Sequence, residues 1–318
     1  MNKLIVSSSP HIRKKTDTPR IMLDVIIALL PAVIASAFIY GFSALLVVAT
    51  CVLTSIVSEF LFNLITKRKQ TVLDFSAIIT GLILGLSLHA NAPIWQCVIG
   101  SVFAIIVVKC LFGGLGANFA NPAATARVFL LLCFTNTLAG GVIPGQPDLI
   151  ASATPLSNLQ TGAELPTIFD MLPTIFDMLI GNRGGAIGEG CMIALLIGFI
   201  YLVARKVIRF EVPVVMVGTV FILSLIVERS FVGAIYQVLG GGLVFAAIFM
   251  ATDYVTTPMT RWGKVIFAFG CGLITFLIRV YGNYPEGVSF AILIMNILSP
   301  AIELLTKPRA LGKRGKKA

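Results

Sequence analysis

Charge is what this sequence has least of. Asp, Glu, Lys and Arg make up only 12% of its 318 residues, against 57% hydrophobic, where a soluble domain carries roughly 25% charged residues. One water-facing core cannot hide that much apolar surface, so lipid is the expected solvent. There are two histidines, His11 and His89, and six cysteines: Cys51, Cys97, Cys110, Cys133, Cys191 and Cys271. No two cysteines form a CxxC pair, and most stand inside apolar runs, so spacing points to neither a metal centre nor a disulfide framework. The apolar runs are too long for the alternating strands of an outer-membrane barrel. Met1–Arg20 has no apolar h-region of a signal peptide, and insertion is expected through the chain's own helices.

What is present is a series of long apolar stretches. Ten are read as transmembrane helices: Ile21–Tyr40, Ser43–Ile65, Phe75–Leu88, Ile94–Phe112, Ala123–Leu138, Ile187–Ala204, Pro213–Val227, Ala234–Ala251, Val265–Val280 and Val288–Leu305. Several fall short of the roughly 20 residues of a full span, which predicts tilted or broken helices. The net charge of +10 does not point to nucleic acid, because the basic residues sit in short clusters between these runs. With the N-terminus inside, nineteen Lys and Arg fall on the cytoplasmic side and only Arg183 and Arg229 outside. The positive-inside rule then places both termini in the cytoplasm.

The expected fold is all-α, in three parts. Residues 1–138 form an N-terminal membrane half, 139–186 an outward polar loop, and 187–318 a C-terminal half. Five spans per half is an odd number, so the halves run in opposite directions, the arrangement of inverted-repeat membrane proteins. Both halves put Gly, Asn and Pro just before their last span, as Phe112–Ala123 (FGGLGANFANPA) and Tyr281–Gly287 (YGNYPEG). Helices starting at such points leave N–H groups facing a cavity or ligand. The outer loop also repeats LPTIFDM in tandem, at Leu165–Met171 and Leu172–Met178. Pro166 and Pro173 would break a continuous helix there, so a local duplication in a tolerant loop, or a short interfacial helix, is expected.

Asp148–Leu156 reads DLIASATPL. Small neighbours leave Thr154 accessible, and the following Pro155 holds it extended. On spacing alone this is a Ser/Thr-rich surface turn. The stretch resembles the flavinylation motif of the family that unites the D subunit of the Rnf electron-transport complex with the B subunit of the sodium-pumping NADH:quinone reductase. Further blocks match in order: Ser76–Leu86 (SAIITGLILGL), the FGGLGANFANPAA segment, Ile187–Glu189, Met250–Asp253 with Thr257–Pro258, and Tyr284–Ala291 followed by Met295–Asn296. The short N-terminus fits the Rnf branch better than the quinone reductase branch.

The resemblance implies a membrane subunit of an ion-translocating ferredoxin:NAD oxidoreductase, coupled to sodium ions or protons. It implies FMN joined through its phosphate to Thr154, with Asp148, Ser152, Ala153 and Pro155 around the attachment. Ala151 stands where the family has Ser or Thr. Asn118 and Asn121, before a helix start, are expected to support the flavin phosphate. It also implies a second, noncovalent flavin (riboflavin), the G, A, E, C and B subunits of the Rnf complex as partners, and a flavin transferase for maturation. Ferredoxin and NAD should bind elsewhere, since no Gly-rich nucleotide loop in the right context or cysteine ligand set is present. Without the resemblance, a solute transporter or channel built on inverted repeats, or a structural anchor for redox partners, fits the same architecture.

Ionisable groups in or near the spans are costly there and are therefore candidates for function. They are Asp24, Glu59, Asp74, Lys109, Arg127, Glu189, Asp253 and Arg279. Glu59 and Arg127 read as the deepest, suited to pair with another charge, contact a flavin or line an ion path.

Overall fold

The computed structural model describes residues 18–138, 141–142, 151–152, 175–181, 184–282 and 287–307. Helices carry the architecture. The first half contains α1 (Thr18–Tyr40), α2 (Phe42–Ile65), α3 (Ser76–Ser87), α4 (Ile94–Cys110) and α5 (Pro122–Cys133), followed by the single turn α6 (Thr135–Leu138). The second contains the short α7 (Ile175–Ile180), then α8 (Met192–Ala204), α9 (Glu211–Glu228), α10 (Phe231–Leu239), α11 (Leu243–Phe249), α12 (Arg261–Tyr281) and α13 (Val288–Leu305). Two-residue strands β1 (Gly141–Val142) and β2 (Ala151–Ser152) pair antiparallel, with Gly141 opposite Ser152.

α1, α2, α9, α12 and α13 are each long and apolar enough to cross a membrane. α3, α4, α5 and α8 are apolar but shorter. The eighth expected span is broken rather than continuous: α10 and α11 meet at a bend of 52°. Gly240-Gly241-Gly242 accounts for the break, with Gly241 at φ +59, where a side chain would be strained. The fifth expected span likewise stops at Cys133, and the sixth opens with a turn of 3-10 helix over Ile187–Glu189 before α8 begins.

The two halves repeat one packing plan. In the first, α2 packs on α3 and α4, and α5 packs on α4; in the second, α9 packs on α10, α11 and α12, and α13 packs on α12. The halves meet along two symmetric pairs, α1 with α8 and α5 with α13. Lipid supplies no hydrophobic force between helices, so close backbone approach must hold them together. Gly81 and Gly85 on α3 form such a seam: a Cβ at Gly81 would stand 2.7 Å from the Val52 Cα, and one at Gly85 2.9 Å from the Val48 Cα. Gly198 does the same between halves, where a Cβ would meet the Ala28 carbonyl oxygen at 2.3 Å. The outer faces carry exposed Leu30, Ile34, Phe38, Leu53 and Val57, an apolar surface suited to acyl chains.

Polar groups tie the seams at defined points. Asp24 on α1 accepts from the Tyr201 hydroxyl on α8 at 2.9 Å, and Arg205 lies 3.3 Å from the same carboxylate. His89 and Leu88, past the end of α3, contact the re-entering chain at the Gly185 carbonyl (3.1 Å) and the Ile187 N–H (2.8 Å).

Candidate functional site

The end of the molecule where α2 and α4 finish, and where α1, α9 and α12 begin, gathers the described basic clusters and two cavities. One is a polar vestibule with about 1220 Å³ of empty space, counting its open mouth. Glu59, Asn63, Arg68, Lys69, Thr71 and Asp74 face it. The other is a mostly apolar pocket of about 820 Å³, again counting its mouth, between α1, α3, α4 and α5 and the α11–α12 turn. Ile79, Ile83, Ile248 and Phe249 supply apolar wall, and Ser76, Lys109, Asn118 and Asp253 supply polar edge.

Asn121 begins α5, and its side chain does two jobs. The Oδ1 accepts from the Ala123 and Ala124 N–H groups at 3.0 and 3.2 Å, satisfying donors that a helix start leaves unpaired. The Nδ2 donates to the Met250 carbonyl at 3.2 Å, joining α5 to the end of α11. Pro122 takes the first helical position, where its missing N–H costs nothing. Asn118 differs: its Oδ1 is buried and has no hydrogen-bond partner among the described residues. It is an acceptor at the pocket wall.

Between vestibule and pocket stands a buried ion pair. The Lys109 ammonium on α4 lies 2.9 Å from Glu59 Oε2 on α2, and both side chains are 2% exposed. Lys109 also donates to Ser76 Oγ at 2.7 Å. The other carboxylate oxygen, Oε1, accepts from the Thr71 hydroxyl at 2.6 Å, and Asn63 donates to Thr71 at 3.1 Å. The opposite charges are therefore paired, and Ser76 and Thr71 add a hydrogen bond at each end, as burial in an apolar surrounding demands.

The second half has a counterpart at the opposite end. Glu228 closes α9 as Glu59 approaches the end of α2, and Arg279 stands near the end of α12 as Lys109 does on α4. Here Gln237 mediates: it donates to Glu228 Oε1 at 2.8 Å, while its carbonyl accepts from Arg279. Arg279 also donates to the Gly240 carbonyl at 3.3 Å, at the α10–α11 break. Between the halves, Arg127 and Glu189, both buried, line a small cavity with Ser87 and Ser289.

Burial pushes the Asp253 carboxyl up from its ordinary value, against the pull of hydrogen bonds from the Val255 N–H (3.2 Å) and the Thr256 hydroxyl (3.4 Å). The neighbouring Tyr254 hydroxyl is pushed up to about 12, mainly by burial and then by the charge of Asp253.

Asn118 and Asn121 thus meet at one pocket. Ser152 is described only through its backbone pairing with Gly141. Asp148, Ala153, Thr154 and Pro155 lie outside the described residues, as does the LPTIFDM tandem up to Thr174. α5 rises about 18 Å from its start, so it carries the chain away from the Asn118 pocket before the β1–β2 pair. Thr71, Ser76 and Asn63 were not singled out by sequence, because a hydroxyl or amide gains meaning only beside the charge it contacts.

A model of the family described as NQR2, RnfD, RnfE matches residues 5–312. The chain belongs to this family. Relatives within the NQR2, RnfD, RnfE family include the D subunit of the sodium-translocating ferredoxin:NAD+ oxidoreductase complex of Acetobacterium woodii, 44% identical over 97% of this chain and 95% of that protein. The D subunit of the proton-translocating counterpart from Clostridium ljungdahlii is 38% identical over 98% and 97%. The D subunit of the ion-translocating oxidoreductase complex of Stutzerimonas stutzeri is 36% identical over 95% of each.

Proposed function

We propose that the chain is the D subunit of an Rnf-type, ion-translocating ferredoxin:NAD+ oxidoreductase complex, relaying electrons through bound flavin within the membrane. The observation that carries this reading is similarity to D subunits along nearly the full length of both chains. The relatives' names give sodium ions in one case and protons in the other, so the family leaves the coupling ion open.

The covalent cofactor in this reading is FMN on Thr154. Its support is the DLIASATP stretch, together with the extended backbone of Ala151 and Ser152 just before the threonine. The basic ends of the helices would face the cytoplasm, and the β1–β2 pair the outer side. A tethered flavin there exchanges electrons without diffusing away. The cofactor supplies the redox chemistry, and the protein its position and potential.

The second, noncovalent flavin, riboflavin, is assigned to the pocket beside α3 and α5. The residues fit such a group: aliphatic and aromatic walls for a ring, and Asn118 Oδ1 as an acceptor without a partner among the described residues. Asn118, Ser76 and Lys109 would hold it at its polar edge. Partners in this reading are the other Rnf subunits, with a separate flavin transferase for Thr154.

The test is deletion and complementation. Membranes lacking this chain should lose reduced-ferredoxin-dependent NAD+ reduction and the ion gradient it builds, and regain both with the wild-type chain. Retention of both in the deletion strain would refute the assignment.

A further inference from the structure

The Glu59–Lys109 pair is the wall between the two cavities. Glu59 faces the polar vestibule, while Lys109 and Ser76 face the apolar pocket. Thr71, Glu59, Lys109 and Ser76 form an unbroken series of contacts of 2.6, 2.9 and 2.7 Å. We propose that this series is a proton conduit from vestibule water to a flavin-class carrier reduced in the pocket. The proposal rests on the reading that the pocket holds the second flavin.

Three observations carry it. The pair is buried on both sides, and stability alone does not call for it, because an apolar pair of similar volume is commonly as stable as a buried ion pair. Its two ends open into different cavities, one polar and one apolar. And the residue on α4 is lysine, a compact ammonium with three N–H donors on a flexible stem, where the matching place on α12 has arginine, a guanidinium that stays charged.

A flavin ring that accepts two electrons must also take up protons. The Lys109 ammonium gives one proton to a ring nitrogen and is left as the amine. The Glu59 carboxylate takes a proton from vestibule water and passes it to that amine, restoring ammonium and carboxylate. One proton leaves the vestibule and one arrives on the carrier, whose electrons come from the redox partner subunits. Thr71 and Ser76 hold the two ends of the pair in line. The other charged or titratable groups facing the series are Arg68, Lys69, Asp74 and Cys110 at the vestibule, and Asp253 and Tyr254 at the pocket. Arg127 on α5 lines the separate cavity between the halves.

The experiment uses the purified complex in weak buffer with a soluble pH dye, reduced in a stopped-flow instrument while flavin absorbance and dye absorbance are both recorded. The wild type should bleach flavin and take up protons together. In the double variant Glu59→Gln/Lys109→Met, which leaves no lone buried charge, proton uptake per flavin retained and reduced should lag at least tenfold. Thr71→Val keeps the ion pair, is expected to fold, and should slow uptake several-fold. Uptake at the wild-type rate in both variants overturns the conduit. A wild-type complex with no acid-extractable flavin overturns the pocket assignment instead, and the conduit with it.

Discussion

Asn121 on α5 donates its side-chain amide to the Met250 carbonyl at the end of α11, 3.2 Å away and 129 residues along the chain. The same side chain caps α5 through Oδ1. One residue therefore fixes a helix start in the first half and a helix end in the second, at the edge of the Asn118 pocket. Asn121→Asp should keep the cap and lose the tie to Met250, whereas Asn121→Ala loses both. Thermal melting of the purified complex should rank wild type above Asp above Ala, with Ala lower by about 1–3 kcal/mol. Equal melting of the wild type and Asn121→Asp would show that the tie to Met250 contributes nothing, and equal melting of the two variants that the cap contributes nothing.

The α2–α3 seam depends on glycine. A Cβ at Gly81 would fall 2.7 Å from the Val52 Cα and 2.8 Å from the Cys51 carbonyl oxygen, both backbone atoms that cannot turn aside. Gly81→Ala should therefore cost about 1–3 kcal/mol by overpacking. Gly218→Ala is the control, since none of the described residues lies within 4 Å of its Cβ position. Size-exclusion chromatography after brief heating should separate the two, and equal loss of the monodisperse peak would contradict the seam.

Arg279 closes the α10–α11 break by bonding the carbonyls of Gln237 and Gly240 from two nitrogens of one guanidinium. A lysine has the charge but not the planar fork. Arg279→Lys should thus destabilise by about 1–2 kcal/mol and raise proteolytic susceptibility at Gly240–Gly242. Limited proteolysis of the complex measures this; an unchanged digest would contradict it.

Asp253 links stability to pH. Burial raises its carboxyl in the folded chain, so the protonated form fits the fold better. Its favourable contribution is complete below the ordinary aspartate pKa of about 3.9 and is lost as pH rises through the raised value. Asp253→Asn keeps an oxygen for the Val255 N–H and carries no charge. The variant should gain on the wild type as pH climbs from about 4 toward neutrality, read as the difference in melting temperature. Parallel curves would contradict the linkage.

Much of the fold was legible in sequence because long apolar runs and basic clusters are strong, local signals. The expected Val288–Leu305 helix matches α13 at both ends, and Ser43–Ile65 starts one residue inside α2. The break at Gly240–Gly242 was missed because three glycines are tolerated inside an apolar run and cost only local helix stability. At the site, Glu59 and Lys109 each stood out as a charge in a span, yet nothing in sequence joins residues 50 apart. Asn121 was legible as a helix start, since Asn-Pro before an apolar run fits a cap. Its bond to Met250 was not, because a carbonyl carries no sequence signature.

The claim at the centre of the cofactor reading is that this chain carries a flavin fixed to Thr154. Its most direct measurement is the ultraviolet fluorescence of the denatured chain on a gel, made from cells that contain the flavin transferase. The wild-type band should fluoresce and Thr154→Ala should be dark at equal protein load. A dark wild-type band, or a variant band as bright as the wild type, would contradict the account.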